Sequence, residues 1–131
     1  MKKMKIVILM LVICLSLFAE ENLTENTETV IIDSLQTAEI TFIELGSVNC
    51  VPCKMMQPVM KEIEEEYIDT VNVIFYDVWT KEDKKYGQQY KIRIIPTQVF
   101  LDENGVEFFR HEGFFSKKEI VSLIENHLKD K

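Results

Sequence analysis

Hydrophobic and polar positions divide the chain into segments of two different periods. Val30, Ile31, Leu35 and Ala38 recur at near-helical spacing and predict a short first helix. Ile40 to Leu45 (ITFIEL) is rich in β-branched and aromatic residues and predicts a strand, and Gly46 to Asn49 a loop. From Cys50 onward Met56, Val59, Met60, Ile63 and Tyr67 form one apolar helical face, with the charges of Lys61 to Glu66 outside it. Val71 to Val78 reads as a second strand, Lys81 to Tyr90 as a polar helix and Thr97 to Leu101 as a third strand. The Asn104-Gly105 pair signals a hairpin turn leading to a partner strand over Val106 to Arg110. Ser116, with Glu119 three residues on, predicts a capping box for a last helix that buries Ile120, Leu123, Ile124 and Leu128. The order is helix, strand, helix, strand, helix, hairpin, helix. It implies an α/β fold, a sheet with helices on both sides.

The start of the chain differs from the rest. Lys2, Lys3 and Lys5 precede an apolar stretch from Ile6 to Ala19 that only Ser16 interrupts, and Glu20, Glu21 and Asn22 follow. A positive start, an apolar run of this length and a small closing residue have the form of an export signal, shorter than the roughly 20 apolar residues of a spanning helix. Residues 1–19 are therefore expected to be a signal peptide or a retained N-terminal anchor, and residues 20–27 a polar lead-in. The domain proper is expected over 28–131. Cys14 invites an acylated-lipoprotein reading, but Ile13 stands where a small residue is wanted and the apolar run continues beyond it. The expected location is outside the cytoplasm: periplasmic, extracellular or tethered by the N-terminal segment.

Composition narrows the function. The 131 residues carry a formal net charge of −7, and loss of the leading lysines makes the remainder more acidic still. Such a field does not favour nucleic acid. Two cysteines remain after residue 19, Cys50 and Cys53, three apart at the start of a predicted helix. A bridge between them closes almost no loop and restricts the unfolded chain very little, so its value is chemical. At a helix N-terminus the free N–H groups and the dipole favour a thiolate at Cys50, while Cys53 lies a turn inside as a resolving thiol. Pro52 is tolerated because first-turn N–H groups have no helical partner to lose. Other readings of the pair stand beside this one. Structural zinc lacks a second ligand pair, copper could draw on Met55 and Met56 as soft ligands, and an inert bridge would add little stability.

The run Cys50-Val51-Pro52-Cys53-Lys54-Met55-Met56 with Pro58 behind it resembles the active-site helix of the thioredoxin family. Ile92-Arg93-Ile94-Ile95-Pro96-Thr97 matches the family's second signature, and the Asn104-Gly105 hairpin with Gly113 before the last helix matches its third. The resemblance spans about residues 28–129. It implies a thioredoxin fold, a central mixed β-sheet flanked by helices on both faces. It also implies a cis Ile95–Pro96 bond against the disulfide, and a substrate groove at Val51, Pro52, Ile95, Gly113 and Phe114. The family's buried acid falls at Glu44, six residues before Cys50. Burial would raise its pKa and suit it to exchange a proton with Cys53, whereas an outward-facing strand position would leave it idle.

Departures from the family are Asn49 for its aromatic residue, Val51-Pro52 for Gly-Pro, and the absence of a lysine in Val71 to Val78 to partner the acid. The resulting expectation is a monomeric thiol:disulfide oxidoreductase with no metal and no cofactor beyond the Cys50–Cys53 disulfide. Its substrates are proteins with disulfides. Pro52 before the second cysteine resembles reducing members, and a membrane thiol carrier would supply electrons. The alternative is a copper-handling or chaperone-like binding module on the same fold.

Overall fold

The computed structural model describes residues 38–131. The expected signal segment 1–19, Cys14, the lead-in 20–27 and all but the last residue of the first helix lie outside the described residues.

Within them the order is β1 (Ile40–Gly46), α1 (Val51–Glu66), β2 (Val71–Asp77), α2 (Lys84–Gln89), β3 (Thr97–Asp102), β4 (Glu107–Glu112) and α3 (Lys117–Lys129). The sheet runs β2-β1-β3-β4, with β1 parallel to β2 and the other two pairings antiparallel. A parallel neighbour needs a crossover, and α1 supplies it.

β1 is central, and six of its seven residues are buried. Side chains alternate across a strand, so this one strand serves two cores. Ile40 and Phe42 join Phe100 of β3, Met56, Met60 and Ile63 of α1, and Ile120 and Ile124 of α3. On the other face Ile43 and Leu45 pack with Val99 and Val78 against Tyr86, Tyr90 and Ile92 around α2. Phe42 and Phe100, opposite each other in register, stack at 4.7 Å. Helices therefore cover both faces of the sheet, as the alternation of patterns implied. Leu123 and Leu128 of the last helix are partly buried edges of the first core, not its centre.

Two elements, α2 and β4, differ from the sequence expectation by more than one residue at an end. α2 starts at Lys84 because side chains take over the backbone groups before it: Thr80 donates to the Asp77 carbonyl, Asp83 N–H donates to Thr80 Oγ1, and Asp77 N–H to Asp83 Oδ2. Short polar side chains compete with helical bonding in this way. β4 begins one residue later than expected and runs on to Glu112, with a register shift at Phe100/Leu101.

The capping box of α3 is complete: Ser116 Oγ accepts from Glu119 N–H while the Glu119 carboxylate accepts from Ser116 N–H. Lys117, the next residue, reaches Glu62 and Glu66 of α1 at 2.9 Å each. Ser116→Ala is expected to cost about 1 kcal/mol, the usual value of an N-cap. A urea titration followed by circular dichroism would read it, and an unchanged midpoint would mean that packing alone holds the start of α3.

Candidate functional site

β1 ends at Gly46, and four residues separate it from α1, which begins at Val51. The turn between them is held by its own polar groups: Cys50 N–H donates to the Ser47 carbonyl at 3.1 Å and Asn49 N–H to Ser47 Oγ at 3.2 Å. Asp77, at the end of β2, receives the N–H groups of Val48 and Trp79, both at 3.1 Å, so one carboxylate ties together the loops after β1 and β2.

Cys50 is the N-cap of α1, in extended conformation and with no side chain capping the helix; its carbonyl accepts from Lys54 N–H. Pro52 follows at the second helical position, where no backbone bond is lost. Cys50 and Cys53 form a disulfide across a Cα–Cα distance of 5.2 Å. The two cysteines are unequally placed: Cys50 is 9% exposed and Cys53 is not exposed at all. The expected helical juxtaposition is therefore present, with the N-terminal cysteine outermost.

Behind Cys53 lies Glu44, fully buried. Its register neighbours are Phe75 on β2 and Gln98 on β3, so no lysine faces it across either pairing. Gln98 is also fully buried and donates from Nε2 to Glu44 Oε2 at 2.9 Å. Burial drives the Glu44 carboxyl up to about 8, and the Gln98 hydrogen bond pulls in the opposite direction without cancelling it. Gly46 explains how acid and thiol come together. A Cβ at Gly46 would lie 3.2 Å from Cys53 Sγ and 3.4 Å from Glu44 Oε1, so both atoms border the space that a side chain there would fill. A side chain at this position would press on the thiol and the carboxyl, and glycine leaves the approach open.

The remaining expected residues gather at the same end of the sheet. The register sets Leu45 opposite Thr97 and Thr97 opposite Glu112, so Pro96 and Gly113 lie beside the end of β1 that feeds the cysteine loop. The Ile95–Pro96 peptide is cis, and Gly113, at φ 94°, donates its N–H to the Pro96 carbonyl at 2.8 Å. Ile95 is partly buried in the α2-side core, whereas Val51 and Phe114 are exposed at 71% and 41%. Trp79 is 63% exposed, on the loop that shares Asp77 with Val48.

The neighbouring methionines do not act as a pair. Met55 is exposed, while Met56 is buried with its sulfur accepting Phe115 N–H at 3.3 Å. Successive helical residues diverge in direction, so Met56 is committed to the core. Gln98 was missed by the sequence reading. A polar residue between Thr97 and Val99 in a strand otherwise destined for the core was the one signal that could have found it.

A family model described as a thioredoxin-like domain matches residues 27–128. A thioredoxin from Acidithiobacillus ferridurans is 28% identical over 96 residues, covering 73% of this chain and 86% of that protein. Thioredoxin 1 from Synechococcus elongatus is 36% identical over 80 residues, 60% of this chain and 71% of its own. Among solved structures, a thioredoxin from Nicotiana alata superposes with a TM-score of 0.60 at 27% identity, covering 79% of this chain and 86% of its own. A mutant thioredoxin from Halobacterium salinarum gives 0.62 at 23% identity, over 75% and 82% of the two chains.

Proposed function

This chain belongs to the thioredoxin family and is a thioredoxin-like oxidoreductase, and on that premise we propose that it reduces protein disulfides outside the cytoplasm, with Cys50 attacking and Cys53 resolving. The observation that carries the assignment of roles is the unequal burial of the two cysteines at the start of α1, with Cys50 at its N-cap.

In the reduced protein the Cys50 thiolate attacks one sulfur of a substrate disulfide. The substrate's other sulfur leaves as a thiolate and takes up a proton. A Cys50–substrate mixed disulfide remains. Cys53 gives its proton to the Glu44 carboxylate and attacks Cys50 Sγ. The substrate's second sulfur is released and protonated, and the Cys50–Cys53 disulfide forms. Two electrons pass to the substrate, and a membrane thiol carrier returns them, since cytoplasmic reductants do not reach across a membrane.

Three features support this reading. The lysine-led apolar start of the chain supports export. The exposed apolar side chains Val48, Val51, Trp79, Ile94 and Phe114 lie on the segments around the cysteine loop and the Pro96 turn, and suit a partner that is itself a polypeptide. Pro52 before the second cysteine resembles the reducing branch of the family.

The test is a measurement of direction and place. The potential of the Cys50–Cys53 pair is expected closer to about −270 mV than to about −120 mV, the reducing and oxidising ends of the known range. The protein should also reduce insulin in the presence of a small dithiol. A potential at the oxidising end would reverse the proposed direction. Cell fractionation with N-terminal sequencing tests location, and a cytoplasmic protein with Met1 intact would refute export.

A further inference from the structure

We propose that Gln98 is a positioning residue for proton transfer at Cys53: its amide occupies Glu44 Oε2 and so makes Oε1, the oxygen that shares the gap at Gly46 with Cys53 Sγ, the one that exchanges the proton. This rests on the reading of Glu44 as the proton acceptor of Cys53 and adds the group that orients it.

The geometry is one-sided. Gln98 Nε2 donates to Oε2 at 2.9 Å, while Oε1 is buried without a hydrogen-bond partner. Oε1 is also the oxygen that a Cβ on Gly46 would meet, together with Cys53 Sγ. A carboxylate with one oxygen saturated by a neutral donor takes its proton on the other. A buried carboxylate left to rotate would divide its proton between two positions, only one of them beside the thiol.

The antiparallel register enforces the arrangement, because Glu44 and Gln98 are direct partners on β1 and β3, and both are fully buried. Neither Phe75 of β2 nor Gln98 carries a charge, and α1 presents Cys53 at this point. Burial and the Gln98 amide are the influences acting on the Glu44 carboxyl. The amide stabilises the carboxylate, so its removal pushes Glu44 further up and starves the base at neutral pH.

The full chain, reduced and mixed with the aromatic disulfide 5,5′-dithiobis(2-nitrobenzoate) in a stopped-flow instrument, reads the two steps separately. Attack by Cys50 releases one nitrothiobenzoate, and resolution by Cys53 releases the second. Gln98→Met, close in size but without the amide, is expected to slow the second phase at pH 7 by about tenfold or more, the effect of losing one charge-assisted hydrogen bond. Its pH profile should move to higher pH, with the first phase within about twofold of wild type.

A second-phase profile identical to wild type in Gln98→Met, alongside a profile flattened by Glu44→Gln, would overturn the role of Gln98 and leave that of Glu44 standing. A profile untouched by Glu44→Gln as well would remove the proton-acceptor reading and this inference with it. Should Gln98→Met not fold, Gln98→Glu keeps size and polarity. Two adjacent carboxyls titrate as a pair, so its second phase is expected to follow two pH steps, and a single unshifted step would overturn the proposal.

Discussion

Cys53→Ser, expressed in the protein's own compartment, should accumulate covalent complexes with other proteins, and Cys50→Ser should accumulate none. The asymmetry follows from position on α1. Cys50 caps the helix, where the first-turn N–H groups and the positive end of the dipole hold a thiolate, and it keeps a little exposure. Cys53 is sealed beneath it against Gly46 and has no surface on which a bulky disulfide could land. Without Cys50 no attack occurs, and turnover of protein disulfides should fall to background. Without Cys53 the attack proceeds but resolution does not. The mixed disulfide then persists for roughly minutes to hours, the scale of uncatalysed rearrangement. Non-reducing electrophoresis should show bands that collapse on adding dithiothreitol, and mass spectrometry of them names the substrates. Trapping by Cys50→Ser in place of Cys53→Ser would exchange the two roles. No trapping by either, with copper retained by both, would favour a binding module over an oxidoreductase.

The oxidised protein should lose stability as the pH rises from 5 to 9, and Glu44→Gln should remove most of that loss. Glu44 titrates at about 8 in the folded protein against 4.5 for an unburied glutamate. Between those values the folded state holds a proton that the unfolded chain has released. Raising the pH through this window therefore draws the equilibrium towards unfolding, and above about 8 the penalty is complete. At about 1.4 kcal/mol per pH unit the full penalty approaches roughly 5 kcal/mol as an upper bound. Gln at position 44 cannot ionise and pays no such penalty. Urea midpoints of the oxidised proteins at pH 5, 7 and 9 give the comparison. Wild type and Glu44→Gln should be close at pH 5, with the variant more stable by about 3–5 kcal/mol at pH 9. Parallel curves across the range would mean that Glu44 is ionised throughout, and its part in proton transfer would fall with that result.

Much of the molecule is written in local pattern. The β-branched and aromatic run Ile40 to Leu45, the 3.6-period face of Met56, Met60 and Ile63, and the Ser116–Glu119 box each depend on residues within a turn or two of one another. The structure carries each as its pattern reads. The limits of α2 were not legible, because Asp77, Thr80 and Asp83 bond to one another's backbone in ways that helical periodicity does not register. The exposure of Trp79 was not legible either. An aromatic residue after an apolar strand suits the core or the surface equally, and the loop anchored on Asp77 is what leaves it outside.

By itself the sequence determined the chemistry: two cysteines one helical turn apart behind a strand, a proline between them and an acid six residues upstream. These are short-range relations, and helix geometry alone brings the two sulfurs together. What only the tertiary structure decided is the environment of the acid. Glu44 could equally have faced water, and its burial depends on β1 lying at the centre of the sheet with helices on both sides. Its partner Gln98 is 54 residues away, and the one local mark it carries, a polar side chain in a core-bound strand, does not say what it pairs with. The pairing exists because the β1–β3 register sets those two residues opposite each other, and a shift of one residue would turn Gln98 to the other face of the sheet. Proximity in the chain can be read from spacing; desolvation and hydrogen bonding between distant strands arise only when the sheet has closed around them.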